Sequence, residues 1–172
     1  MRFATLLALA LLFLVIQTVV LGPGAGLLVR PDLLLLLVVL WGLTLGVRQG
    51  LMAGAMAGLL SDCVSAAPLG MHVLALMAAS LVVAVRRLEL VESRFALALV
   101  IAPLGTAVYY GVSVLVLQFS GWPVDWPAAA AARLAPALLI NTAVTAPLYV
   151  LTSLIAERLG APYTGVVVRR IG

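Results

Sequence analysis

Lysine is absent from this chain, and cysteine and histidine occur once each. All ten basic residues are arginine and face six acids, so charged side chains make up only 9% of the 172 residues. A soluble domain carries about 25%. The net charge of +4 is no nucleic-acid signal, because the arginines fall in short segments between apolar runs, where they set orientation across a membrane. Cys63 alone excludes an internal disulfide. Room for a soluble domain is lacking as well: the longest segment outside the apolar runs is a C-terminal tail of 16 residues, 157–172.

Catalytic patterns are missing too. There is no P-loop and no repeated arginine ladder, so neither an ATPase nor a voltage sensor is indicated. Ser61 and Ser65 lack a Gly-x-Ser-x-Gly nucleophile elbow to pair with His72. The residues ahead of Asp62, Gly58-Leu59-Leu60-Ser61, lack the GxGD pattern of intramembrane aspartyl proteases. Asp62, Cys63 and His72 include metal-ligand types without a recognised spacing. The chain therefore reads as non-enzymatic, with no metal and no cofactor.

What is present is apolar: 65% of the residues are hydrophobic. The runs predict an all-α polytopic membrane protein, a single domain of six transmembrane helices at about 3–21, 32–48, 50–66, 70–86, 95–118 and 134–156. The first run follows Met1-Arg2 as a signal peptide would, but it is long for one. The Gly22-Pro23-Gly24-Ala25-Gly26 loop offers no clean cleavage site, so a retained helix is expected. With both termini cytoplasmic, Arg2, Arg48, Arg86, Arg87, Arg94, Arg158, Arg169 and Arg170 lie inside and only Arg30 and Arg133 outside. That split follows the positive-inside rule.

The most patterned stretch runs from Arg30 to Gly70. Pro31 suits the first turn of a helix and Asp32 its positive end. Fifteen residues separate Asp32 from Arg48 and thirteen separate Arg48 from Asp62. Two short helices of roughly 20–25 Å are expected, turning at Arg48-Gln49-Gly50 and bringing the two aspartates to similar height. Glycines recur every four residues at 42, 46, 50, 54 and 58. On a helix this makes a bare ridge that another backbone can approach closely. Packing within the chain is the plain reading; a docking face along Gly46, Gly50, Gly54 and Gly58 is the functional one. Two partly desolvated carboxylates at similar height cannot both stay charged cheaply: one should protonate or find a cation. At least one is expected to pair with Arg30, Arg133 or a partner's basic group, the plain reading being two solvated helix-end acids.

Elsewhere, Tyr109, Tyr110 and Asn141 serve either as interhelical hydrogen-bonding groups or as the lining of a small-molecule cavity. Trp122 and Trp126, each beside a proline, mark a membrane interface. The alanines up to Arg133 are expected along the surface. Arg86 to Arg94 is the densely charged loop, a solvated connector or short interfacial helix whose Arg86, Arg87 and Arg94 are candidates for cytoplasmic contacts.

These features together resemble a known family, the bacterial rod shape-determining protein MreD. The resemblance rests on Pro31-Asp32-Leu33-Leu34-Leu35, on Arg48-Gln49-Gly50, on Gly54-x-x-x-Gly58-Leu59-Leu60-x-Asp62 and on Pro68-Leu69-Gly70, about 40 residues in a specific order. The absence of lysine and the long C-terminal tail depart from the family without touching these motifs. The resemblance implies a multi-pass subunit of the cell-elongation (rod) complex in the bacterial cytoplasmic membrane. Its implied partners are the bitopic protein MreC and, beyond it, MreB filaments, RodA and penicillin-binding protein 2, with membrane lipids around it. It further implies a fold similar to the S component of energy-coupling-factor transporters. That likeness supplies the alternative function, a vitamin-binding S component, faintly echoed by Ala4-x-x-x-Ala8. Few polar groups in the outer loops argue against it.

Overall fold

The computed structural model describes residues 2–21, 30–88 and 93–159, and they are almost wholly helical, with no strand among them. The glycine-rich loop at 22–29, the loop residues 89–92 and the tail from 160, with Arg169 and Arg170, lie outside the described residues, as do the side chains of Arg86 and Arg87.

Helix α1 (Arg2–Val15) runs on into a π turn, Ile16–Val20. Helices α2 (Leu33–Leu45) and α3 (Val47–Val64) form a hairpin, and α4 (Met71–Leu81) continues as a 3-10 segment, Val82–Leu88. Two long helices follow, α5 (Arg94–Phe119) and α7 (Ala135–Arg158), with the short α6 (Trp126–Ala129) and a π turn, Ala130–Leu134, between them. The alanines before Arg133 are thus helical and run directly into α7. Among the described residues three segments are long and apolar enough to cross a membrane: Phe3–Val20, Arg94–Phe119 and Trp126–Arg158. Leu33–Leu45 and Met71–Val85 are apolar but shorter.

Helix α2 is the centre. Its residues Leu33 to Leu43 are all buried, including Trp41 and Gly42. A helix that is apolar on every side is one with protein on every side: α2 touches α1, α3, α4, α5 and α7. Its start is a side-chain cap, in which Asp32 accepts from the Leu35 backbone N–H at 3.0 Å. Pro31 precedes this cap and lies outside the first turn where it was expected.

The hairpin turns earlier than Arg48-Gln49-Gly50. Gly46 is the break, at φ +108°, a conformation that costs glycine little and other residues much. Arg48 and Gly50 already belong to the first turn of α3.

The glycine ridge is filled from within the chain. A Cβ on Gly50 would sit 2.9 Å from the Gly42 Cα, so α2 and α3 meet backbone to backbone there. A Cβ on Gly54 would come within 3.0 Å of the Leu76–Met77 backbone, and one on Gly58 would fall onto the backbone of Val73. Helix α4 therefore lies along the face at Gly54 and Gly58 that a separate docking helix would need. Gly46, with nothing within 4 Å of its Cβ position, is a turn residue and not part of the ridge. In lipid, close backbone contact supplies the helix attraction that apolar burial supplies in water.

Most buried hydroxyls look after themselves. Thr106, Ser113, Thr145 and Thr152 each donate to a carbonyl four residues back on their own helix. Such groups enter an apolar bundle without needing a partner helix. Large apolar side chains of α1, α5 and α7 remain exposed, among them Leu12, Val100 and Leu139.

Candidate functional site

Two buried polar knots and one cavity occupy the same end of the bundle. The first knot joins α3 to α4. Asp62, in the last turn of α3, is 5% exposed. Its Oδ2 accepts from the Gly70 N–H at 2.9 Å and its Oδ1 from the His72 N–H at 3.0 Å. Oδ1 also lies 2.8 Å from His72 Nδ1, which donates to it. Gly70, at φ +88°, has no side chain to cap α4. Asp62 does so from the neighbouring helix, its charge at the positive end of the α4 dipole.

The second knot joins α1, α2, α5 and α7. The Asp32 N–H donates to Asn141 Oδ1 at 2.8 Å, and Asn141 Nδ2 donates to Thr106 Oγ1 at 3.1 Å. Asn141 and Thr106 are fully buried. Gln17 reaches in from the π turn after α1: its Nε2 donates to Asp32 Oδ1 at 3.5 Å, and its Oε1 accepts from the Leu34 N–H at 3.4 Å. Asn141 is thus a junction of three helices. Its amide supplies both a donor and an acceptor, and the helix ends around it use both.

These knots correct the expected pairing of the acids. Both aspartates are buried, so neither is a solvated helix end. Neither pairs with Arg30 or Arg133: among the described residues the one acid–base contact is His72–Asp62. Cys63, adjacent to Asp62, is exposed, and no cluster of three metal-ligand side chains occurs among the described residues.

Beside the knots lies a cavity of about 820 Å³, bounded by α5, the 120–125 turn and the α6 region. Asp32, Tyr109 and Tyr110 line it, with Trp122, Trp126 and Arg133. The rings of Tyr109 and Tyr110 meet edge to face, 5.4 Å apart at 88°. The His72 ring lies 6.5 Å from that of Tyr109, which links the first knot to the cavity wall. Trp126 Nε1 donates to Gln118 Oε1 at 2.9 Å and ties the α6 region to the end of α5.

The sequence-level candidates separate accordingly. Asp32 and Asp62 hold structural knots. Gly50, Gly54 and Gly58 are packing contacts, Gly46 is the turn, and Pro31 precedes a cap. Arg48 lies at the start of α3, at the other end of that helix from Asp62, and Arg94 lies at the start of α5. Asn141, expected either as an interhelical hydrogen-bonding group or in a cavity wall, makes interhelical hydrogen bonds. Gly42 makes the close backbone approach expected of the ridge, whereas Gln17 and Thr106 carry no signal in the sequence. His72, a metal-ligand type in the sequence, instead binds Asp62 directly, and their spacing of ten matches no helical period that would have paired them.

A model of the family described as rod shape-determining protein MreD matches residues 1–158, which includes every described helix. No curated protein and no solved structure matches the chain. The chain belongs to the MreD family, whose role is rod shape determination, and with its long apolar helices it is a membrane protein.

Proposed function

We propose that this member of the rod shape-determining family is a non-enzymatic scaffold of the bacterial rod complex. It sits in the cytoplasmic membrane and crosses it six times with both termini inside. It binds MreC and helps couple MreB filaments to peptidoglycan synthesis by RodA and penicillin-binding protein 2. The observation that carries this reading is the family match over residues 1–158. It favours the scaffold over a vitamin-binding S component.

The geometry supports a passive, positioning role. The buried acids are engaged in holding helices: Asp62 caps α4 and Asp32 caps α2. The chain's centre is one helix, α2, contacted by five others. A protein built this way acts by presenting fixed surfaces. Because α4 covers Gly54 and Gly58, MreC meets a lipid-facing surface or the cytoplasmic arginines Arg86, Arg87 and Arg94 instead. Eight arginines on one side against two on the other give the six-span orientation its support.

The test is capture of MreC from detergent-solubilised membranes by the tagged full chain. Retention of MreC through washing, and its loss when MreC's single span is exchanged for an unrelated one, is the expected result. No MreC above the level captured by an unrelated six-span protein would contradict the proposal.

A further inference from the structure

We infer that the cavity beside α5 is a binding site for an organic ammonium group, seated between the Asp32 carboxylate and the Tyr109–Tyr110 pair. The cavity's volume of about 820 Å³ lies within the range of small-molecule sites, about 300–1,000 Å³. Its lining combines one buried acid with two aromatic rings set at right angles. Aromatic faces and a carboxylate together select a cation carried on an apolar body.

Asp32 is the decisive residue. It is 9% exposed, and its hydrogen-bond donors among the described residues are neutral, the Leu35 N–H and the Gln17 amide. Among the described residues no arginine or histidine pairs with it. Asp62, equally buried, has His72 in addition to two backbone N–H groups. A buried carboxylate in an apolar bundle is costly unless it takes up a proton or a cation reaches it, and the cavity is the open route by which a cation reaches Asp32. Tyr109 is likewise 9% exposed, and neither its hydroxyl nor that of Tyr110 makes a hydrogen bond among the described residues. The cavity lining thus combines an acid that has no cation against it among the described residues with two aromatic rings, a pairing that suits an ammonium.

The rest of the lining fits a larger zwitterion. Arg133, exposed on the rim, suits a phosphate, and Val114 and Leu117 suit an apolar chain. Trp122 and Trp126, also exposed, stand where an interfacial headgroup would enter. A phosphoethanolamine headgroup and a free amine share the ammonium that the site recognises.

The experiment titrates the full chain in maltoside micelles with benzyltrimethylammonium and follows tryptophan emission. Saturable binding is expected. Asp32→Asn should weaken it at least tenfold while leaving the fold intact, since asparagine caps helices as well as aspartate does. Tyr109→Phe should weaken it less than Tyr109→Leu, because phenylalanine keeps the ring. Displacement of the probe by phosphatidylethanolamine identifies a lipid headgroup as the source of the ammonium; displacement by ethanolamine but not by the lipid identifies a soluble amine. Absence of saturable binding, equal affinity for neutral benzyl alcohol, or unchanged affinity in a folded Asp32→Asn variant would overturn the assignment.

Discussion

Asp62 on α3 grips His72 on α4 twice, through the backbone N–H at 3.0 Å and through Nδ1 at 2.8 Å, while its other oxygen takes the Gly70 N–H at 2.9 Å. One carboxylate therefore fixes both where α4 starts and how far it stands from α3. Removing the carboxylate and removing the imidazole are not equivalent. Asp62→Ala leaves two backbone donors and the ring unpaired, and should cost about 3 kcal/mol, given roughly 1.5–3 kcal/mol per hydrogen bond to a charged group and partial replacement by water. His72→Ala keeps both backbone caps and should cost about 1 kcal/mol. Thermal unfolding of the purified variants in detergent measures the difference. Equal losses would show that the ring contact, and not the cap, holds the joint.

The glycines make a graded prediction. Gly58→Ala should destabilise more than Gly54→Ala, because its methyl group would meet the Val73 backbone, which cannot rotate away. Gly111 has open space at its Cβ position inside α5. Gly111→Ala should be neutral, or stabilising by up to about 1 kcal/mol, from helix propensity. Folded yield after membrane extraction and gel filtration ranks the three. Gly54→Leu and Gly58→Leu should reduce folded protein. If both instead fold normally and lose MreC, the ridge is a docking face after all.

Asn141 should be the least replaceable polar residue of α7. Asn141→Leu leaves the Asp32 N–H without its acceptor and takes away the amide that donates to Thr106 Oγ1, which keeps its own bond to the Ala102 carbonyl, an expected loss of about 1–3 kcal/mol. Thr106→Val removes the acceptor of Asn141 Nδ2 and the hydroxyl's own bond to the Ala102 carbonyl, but leaves the Asp32 N–H bonded to Asn141, and should cost less. Wild-type melting temperature in Asn141→Leu would show that the knot is dispensable.

Much of this arrangement was readable in the sequence, in a particular way. Four-residue glycine spacing announces close backbone approach, but spacing alone does not say which helix approaches: Gly42 meets α3, whereas Gly54 and Gly58 meet α4. All five glycines look alike in the pattern, yet only Gly46 takes a positive φ and turns the chain. The burial of α2 on every side was hidden because an unbroken run of leucine and valine has no polar face to show its orientation. A histidine ten residues from an acid carries no periodicity, so the Asp62–His72 joint emerges only when the Pro68-Leu69-Gly70 turn folds back. The contacts of Asn141 and Gln17 with the α2 cap join residues separated by 109 and 17 positions, and no local rule reaches that far.

Orientation is tested by labelling. In a Cys63→Ala background, Asp125→Cys should react with an impermeant maleimide added outside intact cells, and Leu90→Cys should react only after lysis. The eight-to-two division of arginines underlies this expectation. Outside labelling at 90 together with protection at 125 would invert the topology.

The most direct measurement of the scaffold reading is cell shape. In rod-shaped bacteria depleted of their own family member, but retaining a matched MreC, expression of this chain should return rounded cells to rods. Gly58→Leu, with its bundle disrupted, should fail to do so. Cells that stay round while the wild-type chain stands folded in the membrane at the native level would contradict the account.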